Sequence, residues 1–104
     1  MDRLAPKNLA GDTNTEINAL RSSIDAIDDE IMRLINRRLL LAAQIGAVKK
    51  HAGIQVEDNR REENIMRRLG DENKGPLNEG GMRAIFKAII AECRHIQHSK
   101  NGRR

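Results

Sequence analysis

Residues 17–48 read INALRSSIDAIDDEIMRLINRRLLLAAQIGAV, and this stretch decides the fold. Ile17, Leu20, Ile24, Ile27, Ile31, Leu34, Leu41, Ile45 and Val48 advance by alternating threes and fours. Such steps gather the apolar residues on one seam of a single helix, the pattern of a coiled coil or a long bundle helix. One step of the register, after Leu34, lands on Arg38. A guanidinium keeps its proton and is costly to bury unless an anion meets it. Arg38 is therefore the first candidate functional residue. The alternatives are a residue that sets register or one that snorkels to water.

Thr13 followed by Glu16 has capping-box spacing, so the helix is expected to begin there. Nothing breaks the pattern before Gly53 except Gly46, whose cost to the helix suggests close helix contact or close approach of a ligand. From Leu20 to Val48 the seam would run roughly 42 Å at 1.5 Å per residue. That exceeds what two shorter helices of the same chain can cover, and the uncovered part predicts a partner, most simply a second copy. Asp58 can cap a second helix running to about Leu69, with Ile65, Met66 and Leu69 as its apolar face. A polar loop from Gly70 to Gly81, containing Gly75-Pro76, precedes a third helix over about Glu79 to Gln97. Its stripe is Met82, Ile85, Phe86, Ile89, Ile90, Cys93 and Ile96. The sequence thus predicts an all-α fold of three helices, long, short and medium. A flexible tail is expected at residues 1–12, a single helical domain at 13–98, and a basic tail at 99–104.

Composition agrees. A chain of 104 residues makes one domain at most. Its 38% hydrophobic content includes one Phe and neither Trp nor Tyr, which suits a core of Leu, Ile and Ala on helices and poorly suits a β-sandwich. The net charge of +4 comes from 19 Lys and Arg set against 15 Asp and Glu. These charges interleave, and no aromatic side chains are available to stack on bases, so a nucleic-acid partner is not expected. A single cysteine rules out an intramolecular disulfide and fits a reducing compartment. No apolar run reaches the length of a membrane span, and the opening MDRLAPKNLAGDT lacks the apolar core of a signal peptide. A cytoplasmic protein is expected.

Several polar residues sit awkwardly in a plain bundle. Lys49 lies eleven residues beyond Arg38, close to three whole turns, so the two face nearly the same way. Arg21 lies about a quarter-turn off that line, near the other end of the helix. With an antiparallel partner, Arg21 of one chain can approach Arg38 and Lys49 of the other. Asp58 and Glu62 stand one turn apart with Arg61 beside them, and Gln97 follows Cys93 by one turn, extending an apolar stripe with an amide. Each residue taken singly has a plainer reading. Asp58 can be an N-cap, Glu62 a surface charge, Gln97 the place where the helix meets water, and Cys93 a small buried hydrophobe. Lys49 with Lys50 and His51 can be favourable charge at a helix C-terminus. His51, His95 and His98 lack the spacing of a metal site, and no metal is expected.

Taken together, LRSSIDAIDDEIMRLINRRLLLAAQIGAVKK at 20–50, VEDNRREENIMRRL at 56–69 and IFKAIIAECRHIQ at 85–97 resemble the all-α class of chorismate mutase. The resemblance covers about residues 17–97. It is carried by LR-x2-ID-x-ID, by RR followed by G-x2-K, by D-x2-RE, and by the late Gln97. It implies an intertwined homodimeric six-helix bundle, with the long helices antiparallel and two shared active sites. It further implies that Arg21 enters the partner's site while Arg38 serves its own, the two binding the substrate's two carboxylates. Lys49 matches a lysine that bonds the ether oxygen and a carboxylate, and Gln97 matches a donor to the same oxygen. Asp58 and Glu62 fall where the family holds the ring hydroxyl, and Arg61 matches a further pocket arginine near a carboxylate. Cys93 stands where some members carry a serine that touches substrate, and is expected to be pocket wall.

The implied reaction is chorismate to prephenate, an intramolecular Claisen rearrangement of aromatic amino acid biosynthesis. It needs no nucleophile, metal or other cofactor. Two alternatives stay open: an isochorismate-pyruvate lyase on the same fold, and a non-catalytic helical partner that regulates a larger biosynthetic enzyme. A complex with another enzyme of the pathway is compatible with either.

Overall fold

A computed structural model describes residues 10–99 as three α-helices: α1 (Ala10–Ala52), α2 (Asn59–Glu72) and α3 (Glu79–His98). No strand occurs among the described residues, so the all-α expectation and the order long, short, medium both hold. The expected tails lie outside the described residues except at 10–12 and 99. Residues 10–12 are already helical, so Thr13 stands inside α1 and does not cap it. Asp12 supplies the acid that favours the positive end of a helix.

The end of α1 follows from Gly53. Its φ of +72° is one that glycine adopts without strain. Two hydrogen bonds close the turn: Gly53 N–H donates to the Lys50 carbonyl at 3.2 Å, and Ile54 N–H donates to the Lys49 carbonyl at 2.8 Å. This is the paired bonding of a Schellman C-cap. The start of α2 is set by Asp58, whose Oδ1 accepts from Arg61 N–H at 3.0 Å. This helix continues to Glu72, taking Gly70 into its last turn where a loop was expected. Gly70 lies beside Met82 of the core, where a Cβ would stand 3.7 Å from Met82 Cε, an ordinary contact. The α3 helix begins at an Asn78 cap that accepts from Gly81 N–H at 2.7 Å.

The core lies where α2 meets α3. Ile65 and Met66 pack with Met82 and Ile90, and Leu69 and Phe86 flank them. Cys93 is buried one turn beyond Ile90 and two beyond Phe86. Ile85, expected in the stripe, stands at its edge and is 48% exposed.

The chain divides into two units, one up to Leu34 and one from Ile35. In the first, Ile17, Leu20, Ile24, Ile27, Ile31 and Leu34 are all exposed on α1. In the second, Leu41, Ile45 and Val48 are likewise exposed, while Ile35, Leu39, Ala42 and Gly46 form the covered stripe of the same helix. The seam and the stripe covered within the chain are therefore different faces. Among the described residues, no helix is long and apolar enough to cross a membrane.

Candidate active site

The second unit encloses a cavity of about 270 Å³. Leu41, Ala42 and Ile45 of α1, Ile65 of α2 and Ile90 of α3 give it apolar walls. Into it face Arg38 and Lys49 from α1, Asp58 at the α2 cap, Arg61 and Glu62 from α2, and Cys93, Arg94 and Gln97 from α3. Its size is near the lower end of small-molecule sites, roughly 300–1,000 Å³.

Arg38 is half-buried, and its Nη1 donates to Cys93 Sγ at 2.9 Å. The thiol thus orients the guanidinium while leaving its other N–H donors for a ligand. Lys49 Nζ donates to the Val56 carbonyl at 3.0 Å. That bond fixes the ammonium over the α1–α2 connection and leaves two of its three protons unengaged by Val56.

At Gly46, one turn before Lys49, α1 and α3 approach closely. A Cβ at Gly46 would stand 2.8 Å from Gln97 Cα and 3.0 Å from both its Cβ and its carbonyl oxygen. Only glycine permits this approach, which sets Gln97 into the cavity wall. The Gln97 Oε1 is enclosed without a hydrogen-bond partner. Backbone proximity, not a bond to that oxygen, therefore places the amide.

The Asp58 carboxylate caps α2 through Oδ1 and also lines the cavity. Glu62 is bonded by Arg94 Nη2 from α3, a contact that joins the two helices at the cavity wall. The Glu62 carboxylate raises the Arg94 pKa above its ordinary value, against the opposing effect of burial. Arg94 Nε is itself enclosed without a partner. Just outside, His98 Nε2 and Glu57 Oε2 lie 3.1 Å apart, and that bond holds the Glu57 carboxyl below its ordinary value. Among the described residues, no group of three or more His, Cys, Asp or Glu gathers as a metal site would.

Arg38, Lys49, Asp58, Arg61, Glu62, Cys93 and Gln97, all singled out from sequence, line this one cavity. Arg21 belongs to the first unit, is exposed, and is absent from the lining. Sequence reasoning missed Arg94, although its place four residues after Ile90 and three before Gln97 puts it on the same face of α3. It also missed Val56, which acts through its carbonyl and leaves no side-chain signal.

The family model for chorismate mutase type II matches residues 20–98. A bifunctional chorismate mutase/prephenate dehydratase of Neisseria gonorrhoeae is 36% identical over 77 residues, covering 74% of this chain and 21% of that protein. The chain thus spans about a fifth of the length of that relative. The structure of chorismate mutase (form II) from Thermus thermophilus superposes with a TM-score of 0.80 at 32% identity, covering 82% of this chain and 97% of that one. A Helicobacter pylori chorismate mutase solved in complex with prephenate gives a TM-score of 0.76 at 26% identity, covering 85% and 93%.

Proposed function

The chain belongs to the chorismate mutase type II family, and on that premise we propose that its cavity converts chorismate to prephenate by an intramolecular Claisen rearrangement. One observation carries the reading: three cations, Arg38, Lys49 and Arg61, and the amide Gln97 converge on a single apolar-walled cavity. The substrate is a dianion with a flexible ether side chain. Arg38 and Arg61 supply the forked donors that grip carboxylates and hold the compact conformer in which the bond-forming carbons meet. Lys49 and Gln97 donate to the ether oxygen, where negative charge grows as the C–O bond breaks. Their help increases toward the transition state, which is what lowers a barrier. Asp58 and Glu62 receive the ring hydroxyl, and Cys93 acts as wall and as the acceptor that steadies Arg38. No proton leaves the substrate for the protein, so an amide serves as well as an acid.

The reading includes a homodimer. Nine seam residues, from Ile17 to Val48, are 40–67% exposed, more contiguous apolar surface than a soluble monomer ordinarily leaves in water. A second copy, its long helix antiparallel, covers the seam and brings its own Arg21 to the cavity for the second carboxylate. The protein works in the cytoplasm. The fused relative from Neisseria supports a prephenate-consuming dehydratase as its partner in the pathway.

The test is loss of chorismate absorbance with purified protein, with prephenate scored as phenylpyruvate after acid treatment and isochorismate run in parallel. Saturable prephenate formation is expected, and Lys49→Ala should lower kcat by about 10²–10³-fold, the usual cost of removing one donor to a developing oxyanion. Pyruvate release from isochorismate without prephenate formation would move the assignment to a lyase.

A further inference from the structure

We infer that Arg94 is a positioning residue of the cavity, acting through Glu62: it holds the carboxylate where the substrate hydroxyl meets it and cancels its charge toward the dianion. The inference rests on the chorismate reading above. Arg94 is absent from the family motifs in this sequence, and the geometry alone brings it in. Both side chains line the cavity, and Arg94 Nη2 donates to Glu62 Oε2 across the α2–α3 boundary.

Glu62 standing alone would serve a dianionic substrate poorly. Its charge would repel the two carboxylates, and its long side chain would leave the acceptor oxygens unfixed. Arg94 removes both faults with one bond. The pair is neutral as a unit, and the bond engages one oxygen, which fixes the direction of the other. The pair is part-buried, its side chains 36% and 28% exposed, and thermal unfolding of the variants separates its part in joining α2 to α3 from its effect on KM. The enclosed Arg94 Nε, with no hydrogen-bond partner, shows that the guanidinium lies against the wall and not out in solvent.

The experiment measures kcat and KM for chorismate in Arg94→Gln, Arg94→Lys, Glu62→Gln and the double variant Glu62→Gln/Arg94→Gln, with thermal unfolding of each. Arg94→Gln should raise KM roughly tenfold, the scale of one charge-assisted hydrogen bond. Its kcat should stay within about twofold, because the ether-oxygen donors are untouched. Arg94→Lys should recover most of the loss. In the Glu62→Gln background the same Arg94 substitution should change KM by less than about twofold, since the carboxylate it serves is gone. Unfolding temperatures should agree within a few degrees.

An equal KM rise in both backgrounds would overturn the inference, because Arg94 would then act independently of Glu62. An unchanged KM in Arg94→Gln would overturn it too, while leaving the chorismate reading intact. Absence of turnover by the unsubstituted protein would overturn both.

Discussion

Gly46→Ala is the smallest change that should disable the cavity without replacing any residue that lines it. The new Cβ would stand 2.8 Å from Gln97 Cα and 3.0 Å from its carbonyl oxygen, whereas unstrained carbon contacts lie at about 3.5–4.0 Å. Neither atom belongs to a flexible side-chain end, so relief requires α1 and α3 to part by roughly 0.7–1 Å at this crossing. Overpacking of this kind costs about 1–3 kcal/mol. Alanine returns about 0.5–1 kcal/mol through its better helix propensity. The net loss of up to about 2.5 kcal/mol should lower Tm by roughly 4–8 °C for each kcal/mol lost in a chain of this size.

The functional loss should be larger than the loss of stability. Gln97 moves with α3, and a misplacement of about 1 Å at a reacting centre can cost on the order of 10²-fold in rate. We expect kcat to fall roughly ten- to a hundredfold and KM to move less. Arg61 stands on α2, away from this crossing, and of the two carboxylate-binding arginines only Arg38 has a bond, to Cys93, that spans α1 and α3. The assay is steady-state turnover of chorismate well below Tm, with circular dichroism at the same temperature to show that the helices persist. The control is Gln97→Ala alone and combined with Gly46→Ala. The second substitution should add almost nothing once the amide is gone. A kcat within twofold of the unsubstituted protein would refute the reasoning, and so would a full further loss in the double variant.

Two other outcomes follow from Gln97 and from Glu57. Because a neutral amide donates without a titrating proton, turnover should hold from mildly acidic to mildly basic pH, whereas Gln97→Glu should confine it to the acid side and lose about tenfold per pH unit above the carboxyl's pKa. A flat profile in Gln97→Glu would contradict the donor role. Glu57 is held below its ordinary value of 4.5 by His98. Its ionised form is thus favoured in the folded chain, and the stabilisation is present above that value and lost as pH falls through the lower folded one. Glu57→Gln should therefore reduce Tm slightly at neutral pH and converge on the unsubstituted protein in acid below about pH 4.5. A gap that widens in acid would have the wrong sign.

How much of this was legible in the sequence depends on which property each residue expresses. The helix ends at Gly53 and Asp58 were readable because their chemistry is local. Gly53 ends α1 through its left-handed conformation, and Asp58 starts α2 through a bond to a backbone N–H three residues on. The seam was readable as a period. Its fate was not, because the residues that α1 covers within the chain are Ile35, Leu39, Ala42 and Gly46, a stripe of mixed size with no strong hydrophobic signature. Ile85 shows the converse, an apolar residue at helical spacing that sits at the edge of its stripe.

The site divides in the same way. Arg38 and Gln97 stood out as polar residues in apolar registers, and both line the cavity. Gly46 was visible as an irregularity, but the partner it meets lies fifty-one residues on and only tertiary structure supplies it. Arg94 escaped notice because an arginine on an exposed-looking helix is ordinary, and only its bond to Glu62 gives it a place. Thr13 misled because capping-box spacing is also found inside helices, and residues 10–12 ahead of it are already helical.

The most direct test of a cavity completed by a second copy is to mix Arg21→Ala and Arg38→Ala chains, each nearly inactive alone, under conditions where subunit exchange is demonstrated independently. In the mixed dimer one site keeps Arg38 from its own chain and Arg21 from the other, while the second site lacks both. Random exchange of equal amounts should therefore restore about a quarter of the unsubstituted turnover, as two-fold symmetry with shared sites requires. Proven exchange with no recovery would contradict it.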